Sequence, residues 1–128
     1  MQAFIARWCA RRIVLPFAIV VMAFVSAHAD EPDAEIAAQE AVAAILQIDG
    51  DTAYGQFLAG ECITCHQETG KADGIPAIVG IEQDYFVRSV VEYQKNIRDN
   101  EVMRLHVQNL GNEEVAALAA YFATLDPQ

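Results

Sequence analysis

The chain contains the pentapeptide Cys62-Ile63-Thr64-Cys65-His66. Two cysteines three positions apart, followed at once by a histidine, form the attachment pattern of a covalently bound c-type haem. Residues at that spacing share one face of a helix, so each thiol can form a thioether with one vinyl group of the same porphyrin. His66 then lies beneath the ring, where its imidazole can bind the iron. The pattern predicts one haem c, attached through Cys62 and Cys65, with His66 as proximal ligand.

The same cysteine pair has three other interpretations. A thioredoxin-like redox pair requires a βαβ context, and no strand-rich pattern flanks these residues. A structural zinc site requires four ligands; Cys62, Cys65, His66 and His106 can supply them only if adjacent Cys65 and His66 bind one ion with awkward geometry. A plain disulfide leaves His66 without a role.

The first 29 residues have the pattern of a cleaved signal peptide. Three arginines precede an almost unbroken apolar run over residues 13–25, and a small-x-small cleavage site follows at residues 27–29. An uncleaved membrane anchor is the alternative, but about 13 apolar residues are few against the roughly 20 that span a bilayer. We therefore expect export to the periplasm, no stable membrane insertion after cleavage, and a mature chain that begins at Asp30.

The mature chain is strongly acidic. It keeps 5 of the 8 Lys and Arg residues and all 18 Asp and Glu residues, so its formal charge is −13. Such a surface disfavours nucleic acid and anionic lipid. It favours redox partners with a basic docking face, although an acidic balance also simply keeps a protein soluble.

The mature part divides into an acidic, alanine-rich leader or tether at residues 30–50 and one domain at residues 51–128. Apolar residues at helical spacing predict helices over about 52–61, 82–97, 102–109 and 112–125, separated by a glycine- and proline-containing loop and short breaks. Nothing reads as a strand. The expected fold class is all-α, with three to five short helices around one covalent haem.

Over residues 52–125 the chain resembles class I c-type cytochromes. The resemblance is carried by Cys62-x-x-Cys65-His66, the segment Gly74-Ile75-Pro76-Ala77-Ile78-Val79-Gly80, residues 93–100, Val102-Met103 and residues 110–122. It implies that the Pro76 carbonyl accepts a hydrogen bond from His66. It also implies that Met103 is the distal iron ligand, and that Phe57 and Tyr121 form an aromatic pair where the first and last helices cross.

Met103 has rivals for the distal position. It is the only methionine after residue 29, and a thioether ligand raises the reduction potential. An isolated methionine often serves only core packing, and His106 would give bis-histidine ligation. Asn96 and Asn100 depart from the pattern of the resembled family, so the loop before Met103 is expected to differ. Arg98 is either a partner for a haem propionate or a solvated loop arginine.

A haem with both axial positions filled by protein can do little except exchange one electron. We therefore expect a mono-haem electron carrier rather than an enzyme, with Ile63, Ile78 and Met103 as the apolar rim of its docking face. Residues 74–125 look most like the small cytochrome subunits of flavoprotein sulfide dehydrogenases, so a haem subunit that accepts electrons from a flavin subunit is the alternative. A ligand-sensing haem is a third possibility, and it requires Met103 to be off the iron.

Overall fold

A computed structural model describes residues 31–72 and 74–127, and it contains six α-helices in these ranges. They are α1 (Glu31–Ile45), α2 (Thr52–Leu58), α3 (Gly60–His66), α4 (Gln83–Gln94), α5 (Glu101–Val107) and α6 (Asn112–Ala123). No strand occurs in the described ranges, so the predicted all-α class is confirmed. Helices α2–α6 lie within the predicted domain, and α1 lies within the predicted leader. The predicted signal peptide lies outside the described residues.

Polar residues at the helix starts explain where two of the helices begin. The Asp51 carboxylate accepts the backbone N–H groups of Ala53 at 2.8 Å and Tyr54 at 3.1 Å, which caps α2. Helix α6 begins at Asn112, as predicted, and Gly111 is its N-cap. The Glu114 carboxylate accepts a hydrogen bond from the Gly111 N–H at 2.7 Å. It thus provides a partner for a backbone donor that the helix itself leaves unpaired.

Helix α6 is the centre of the fold rather than an amphipathic surface helix. All eight residues from Val115 to Phe122 are buried. Apolar residues at helical spacing would predict burial of one face of the helix only. Helices α1, α2 and α4 pack against α6, and the Phe86 ring of α4 stacks on Phe122 with centroids 5.5 Å apart. The abundance of alanine in α6 allows these neighbours to approach it closely.

The crossing of α2 and α6 is made by a glycine, and the predicted pair of Phe57 and Tyr121 is wrong. Phe57 is 80% exposed, and the Tyr121 ring lies against Phe122 instead. At Gly55 an added Cβ would lie 2.8 Å from the Tyr121 Cβ and would overlap the Ala117 carbonyl. The two backbones meet at Gly55, so no space remains between the helices there for an aromatic ring.

Residues 31–45 form one regular helix that packs against α4 and α6. Ala38 and Ile45 are buried in the core, and Ala41 and Val42 are packed against it. The leader therefore uses apolar side chains to cover the domain. The boundary predicted at residue 50 stays a prediction. Among the described helices, none has both the length and the apolar character required to span a membrane.

Candidate functional site

Helix α3 carries the pentapeptide as one continuous helix from Gly60 to His66. Cys62 is half-buried, Cys65 is exposed, and the two thiols are not bonded to each other. His66 is the last residue of α3 and is buried. Gln67 follows in the left-handed region with φ of 56°, which ends the helix directly after the histidine. The helical spacing that the thioether hypothesis requires is present.

Burial and a neighbouring charge determine the protonation state of the Cys62 thiol. Partial burial raises its pKa, and the neighbouring Glu61 carboxylate raises it further. The thiol form therefore predominates at neutral pH, and no opposite charge activates Cys62 as a redox thiolate. This environment differs from the electropositive one that lowers the thiol pKa in thioredoxin-like pairs.

The His66 imidazole is oriented by a backbone carbonyl in the loop before α4. Its Nδ1 lies 2.6 Å from the Pro76 carbonyl oxygen. A carbonyl can only accept, so Nδ1 must carry the hydrogen and donate it. In the neutral imidazole the other nitrogen, Nε2, then has a free lone pair. The structure thus brings together His66 and Pro76, and it does so in the tautomer that a metal ligand needs.

Met103 contacts the other nitrogen of the same imidazole ring. Its Sδ is 3.5 Å from the His66 Nε2. Since Nε2 carries no hydrogen in this tautomer, the contact is between two lone pairs rather than a hydrogen bond. The two atoms are therefore in direct contact. An imidazole nitrogen and a thioether sulfur are a donor pair that would suit a haem iron.

His106 does not join this pair. It is exposed on α5, three residues beyond Met103. Across residues 31–72 and 74–127, no three His, Cys, Asp or Glu side chains group closely enough to hold a metal ion. The zinc site that would combine Cys62, Cys65, His66 and His106 is therefore not assembled, and bis-histidine ligation has no support in the geometry.

Several apolar residues are only partly buried and pack against the core. They lie on α2, α3, α4 and α5 and in the segments between these helices, and they include Leu58, Ile63, Ile78, Ile81, Tyr93, Ile97, Met103 and Leu110. The predicted rim residues Ile63, Ile78 and Met103 belong to this partly covered set. Ile75, Val102 and Leu105 are exposed by 40%, 61% and 57%, so they form the more accessible apolar surface next to Pro76 and Met103.

The loop before Met103 contains two asparagines whose roles the sequence analysis left open. Asn96 has φ of 58°, the left-handed conformation that glycine or asparagine tolerates best. Asn100 is the N-cap of α5, and its Oδ1 accepts the backbone N–H of Met103 at 3.0 Å. Asparagine followed by an acidic residue is a helix-start signal, so the second role was readable from the sequence.

Arg98 folds back onto α4 and is not a solvated loop arginine. Its guanidinium lies 2.8 Å from the Glu92 carboxylate and donates to the Ser89 hydroxyl at 3.2 Å. It also lies 5.3 Å from the centroid of the Tyr93 ring, a cation–π contact. A contact with a haem propionate stays a prediction.

Gln94, the last residue of α4, was not singled out from the sequence. Its side-chain amide donates to the carbonyl oxygens of Val107 at 2.8 Å and Leu110 at 3.0 Å. Val107 is the last residue of α5, and Leu110 lies three residues beyond it. No sequence signal identifies such a contact, because it joins a side chain to backbone groups of another helix.

Comparison with known proteins gives one partial similarity. No protein-family model matches the chain. It is 32% identical over 72 residues to the "Thiosulfate dehydrogenase electron acceptor" of Thiomonas intermedia (strain K12), and these residues are 54% of this chain and 33% of that protein. The chain thus aligns with about a third of its relative's length. The resemblance to class I cytochromes stays a prediction.

Proposed function

We propose that the chain is an electron-transfer protein that holds one haem c and works in the periplasm after export. Cys62 and Cys65 would attach the haem, and His66 and Met103 would be its axial ligands. The observation that carries this proposal is the geometry at His66, where Nδ1 is bonded to the Pro76 carbonyl and Nε2 faces the Met103 thioether. Nδ1 is thus used to orient the ring, and Nε2 would be the atom that binds the iron.

The number of available donors favours a haem over a bare metal ion. A protein site for zinc or a similar ion takes three or four side-chain ligands, whereas His66 and Met103 offer two. A porphyrin brings four nitrogen donors of its own, so two axial ligands complete its iron. The Cys-x-x-Cys pair then has a role that does not involve the metal.

A haem with histidine and methionine ligands exchanges one electron between its ferric and ferrous states, at a potential that the thioether raises. Pro76 holds the imidazole in one orientation and one tautomer, so this ligand need not reorganise during electron transfer. An iron with two protein ligands would have no open position for a substrate, and this is the reason for proposing a carrier rather than an enzyme.

The similarity to an electron acceptor of thiosulfate dehydrogenase supports a dehydrogenase as the electron donor. We propose that the donor oxidises a reduced sulfur compound and presents a basic docking face, since the mature chain has a formal charge of −13. The alternative is a permanent haem subunit of a flavoprotein dehydrogenase of the sulfide-oxidising kind. Such a subunit needs a large apolar interface, and the apolar residues Ala38 and Ile45 of α1 are already buried within the chain.

Size-exclusion chromatography of native periplasmic extract, monitored by visible absorption, tests these proposals. A haem peak at the size of a single small domain, without flavin absorbance, supports a diffusible carrier. Haem and flavin absorbance that elute together at a larger size support the flavoprotein subunit. Cys62→Ser and Cys65→Ser variants provide the control, because each must weaken covalent haem attachment. If the purified chain carries no haem, the proposed function is wrong.

A further inference from the structure

The helix that carries Met103 is held weakly by apolar packing. Helix α5 has seven residues, of which only Val107 is fully buried, while Val102 and Leu105 are more than half exposed. Among the described helices, α5 packs against α4 alone. A helix this short is not stable by itself in water. Its position must therefore depend on specific contacts with α4.

Gln94 supplies polar contacts of this kind. The Gln94 amide donates to the carbonyl of Val107, the last residue of α5, and to that of Leu110, three residues beyond it. Both amide hydrogens are used, at 2.8 Å and 3.0 Å, and the contacts are partly buried. The Val107 carbonyl also accepts the Leu110 N–H at 3.1 Å, so loss of the Gln94 amide removes one of its two donors and removes the Gln94 donor from the Leu110 carbonyl.

The other end of α5 is also fixed, through the loop that leads to it. Arg98 pairs with Glu92 at 2.8 Å and thereby ties the loop to α4. Asn100 then caps α5 by accepting the Met103 N–H. Helices α4 and α5 thus form one unit, in which Gln94 is the one residue of α4 that bonds to the far end of α5 through its side chain.

We infer that Gln94 is a positioning residue for Met103: by holding α5 against α4, it keeps the thioether directed at His66. This inference rests on the proposed ligation by His66 and Met103. If α5 moved away from α4, Met103 would no longer be held at His66, and an added ligand could bind the iron in its place. The apparent affinity for that ligand is proportional to the open fraction, so loss of the Gln94 contacts raises it.

The test is an imidazole titration of the oxidised, haem-loaded protein carrying Gln94→Leu. Leucine has a similar volume, donates no hydrogen bond and cannot bind iron. We expect imidazole to bind about tenfold more tightly than to the unaltered protein, a change of about 1.4 kcal/mol. Without imidazole, the methionine–iron charge-transfer band should remain. Gln94→Asn is a milder variant that shortens the amide, and it should shift the affinity in the same direction.

Two controls separate positioning from general stability. Gln108→Leu removes an exposed amide that makes a 3.4 Å bond to the Leu105 carbonyl within the same segment, and it should leave imidazole binding unchanged. Ile45→Ala removes a buried side chain of α1, which does not pack against α5. It should lower the unfolding midpoint without changing the imidazole affinity.

The outcomes distinguish the inference from the proposed function. If Met103→Ala binds imidazole far more tightly than the unaltered protein but both Gln94 variants do not, the inference is wrong and the ligation stands. If Ile45→Ala tightens imidazole binding as much as Gln94→Leu, the effect is general destabilisation and the inference is again wrong. If the unaltered oxidised protein has no methionine band and Met103→Ala changes nothing, the proposed ligation itself fails.

Discussion

The Met103 Sδ lies 3.5 Å from the His66 Nε2, although 37 positions separate the two residues in the chain. This contact depends on the position of α5, because Met103 lies in the first turn of that helix. It also depends on Pro76, whose carbonyl leaves Nε2 as the free nitrogen of the ring. Cys62 and Cys65 are close together in the sequence itself, whereas His66 and Met103 meet only in the folded chain. The contact between His66 and Met103 is therefore the stronger evidence for a site.

Replacement of Met103 by Ala should abolish the methionine–iron charge-transfer band of the oxidised protein, because no thioether remains to bind the iron. His106→Ala is the matched control on the same helix, and it should keep the band because His106 is exposed and Met103 is the residue of α5 that contacts His66. Visible absorption spectroscopy of both variants measures this. An unchanged band in Met103→Ala would exclude Met103 as the ligand.

Pro76→Ala should leave the spectrum intact and lower stability slightly. The contact with His66 is made by the backbone carbonyl, which alanine retains. Loss of the ring frees the unfolded chain and should reduce the free energy of unfolding by about 0.4–1 kcal/mol. Urea unfolding followed by circular dichroism measures this change. A lost charge-transfer band would mean that the proline ring, rather than its carbonyl, orients His66.

Gly55→Ala should strongly destabilise the protein, because its Cβ would meet the backbone of α6 at Ala117 and lie 2.8 Å from the Tyr121 Cβ. Overpacking of this kind costs about 1–3 kcal/mol or more. Gly60→Ala is the matched control, since an added Cβ there meets nothing within 4 Å. It should be neutral or stabilise α3 by up to about 1 kcal/mol. Equal unfolding midpoints for the two variants would contradict the close crossing of α2 and α6.

Asn96→Ala should lower the free energy of unfolding by about 1–2 kcal/mol, because alanine is disfavoured in the left-handed conformation. Asn96 adopts φ of 58° just after α4, where the Ile97 N–H bonds to the Glu92 carbonyl. Asn96→Gly should be as stable as the unaltered protein or slightly more so. Thermal unfolding of the two variants measures the difference. If alanine and glycine are equivalent, the backbone at residue 96 is not left-handed.

The Tyr54 phenol should titrate at higher pH than an ordinary tyrosine. Partial desolvation raises its pKa above 10.0, and so do its hydrogen bond to Glu114 at 3.2 Å and the charges of Glu114 and Glu113. The neutral phenol is the form that the folded state favours. Its contribution to stability is present below pH 10 and is lost as the pH rises through the folded-state pKa.

Glu114→Gln should therefore lower the Tyr54 pKa towards its ordinary value, whereas Glu113→Gln should have a smaller effect because Glu113 contributes charge alone. Tyrosinate absorbance as a function of pH, with Tyr54→Phe subtracted, isolates this group. Coincident titrations of the Glu114→Gln variant and the unaltered protein would show that the carboxylate does not act on Tyr54.

Local patterns predicted the helices well but not the contacts between them. Helical spacing of apolar residues and the break at residues 49–51 placed α2, α4 and α6. The spacing of apolar residues did not predict that several helices pack around α6. A helix rich in alanine can be buried on all sides even when its larger apolar residues lie on one face. Phe57 was assigned to the crossing because it is aromatic, yet Gly55 lies there since only a residue without a side chain fits.

Features that depend only on neighbours along the chain could be predicted from the sequence. These are the pairing of Cys62 and Cys65 on one helical turn, the histidine that follows them, and the acidic balance of the residues after position 29. Which distant groups meet follows from the tertiary structure. It brought Met103 rather than His106 to His66, and it joined Gln94 to the far end of α5. Such choices follow from how whole helices pack, because a contact across 37 residues requires every intervening helix and loop to take its place first.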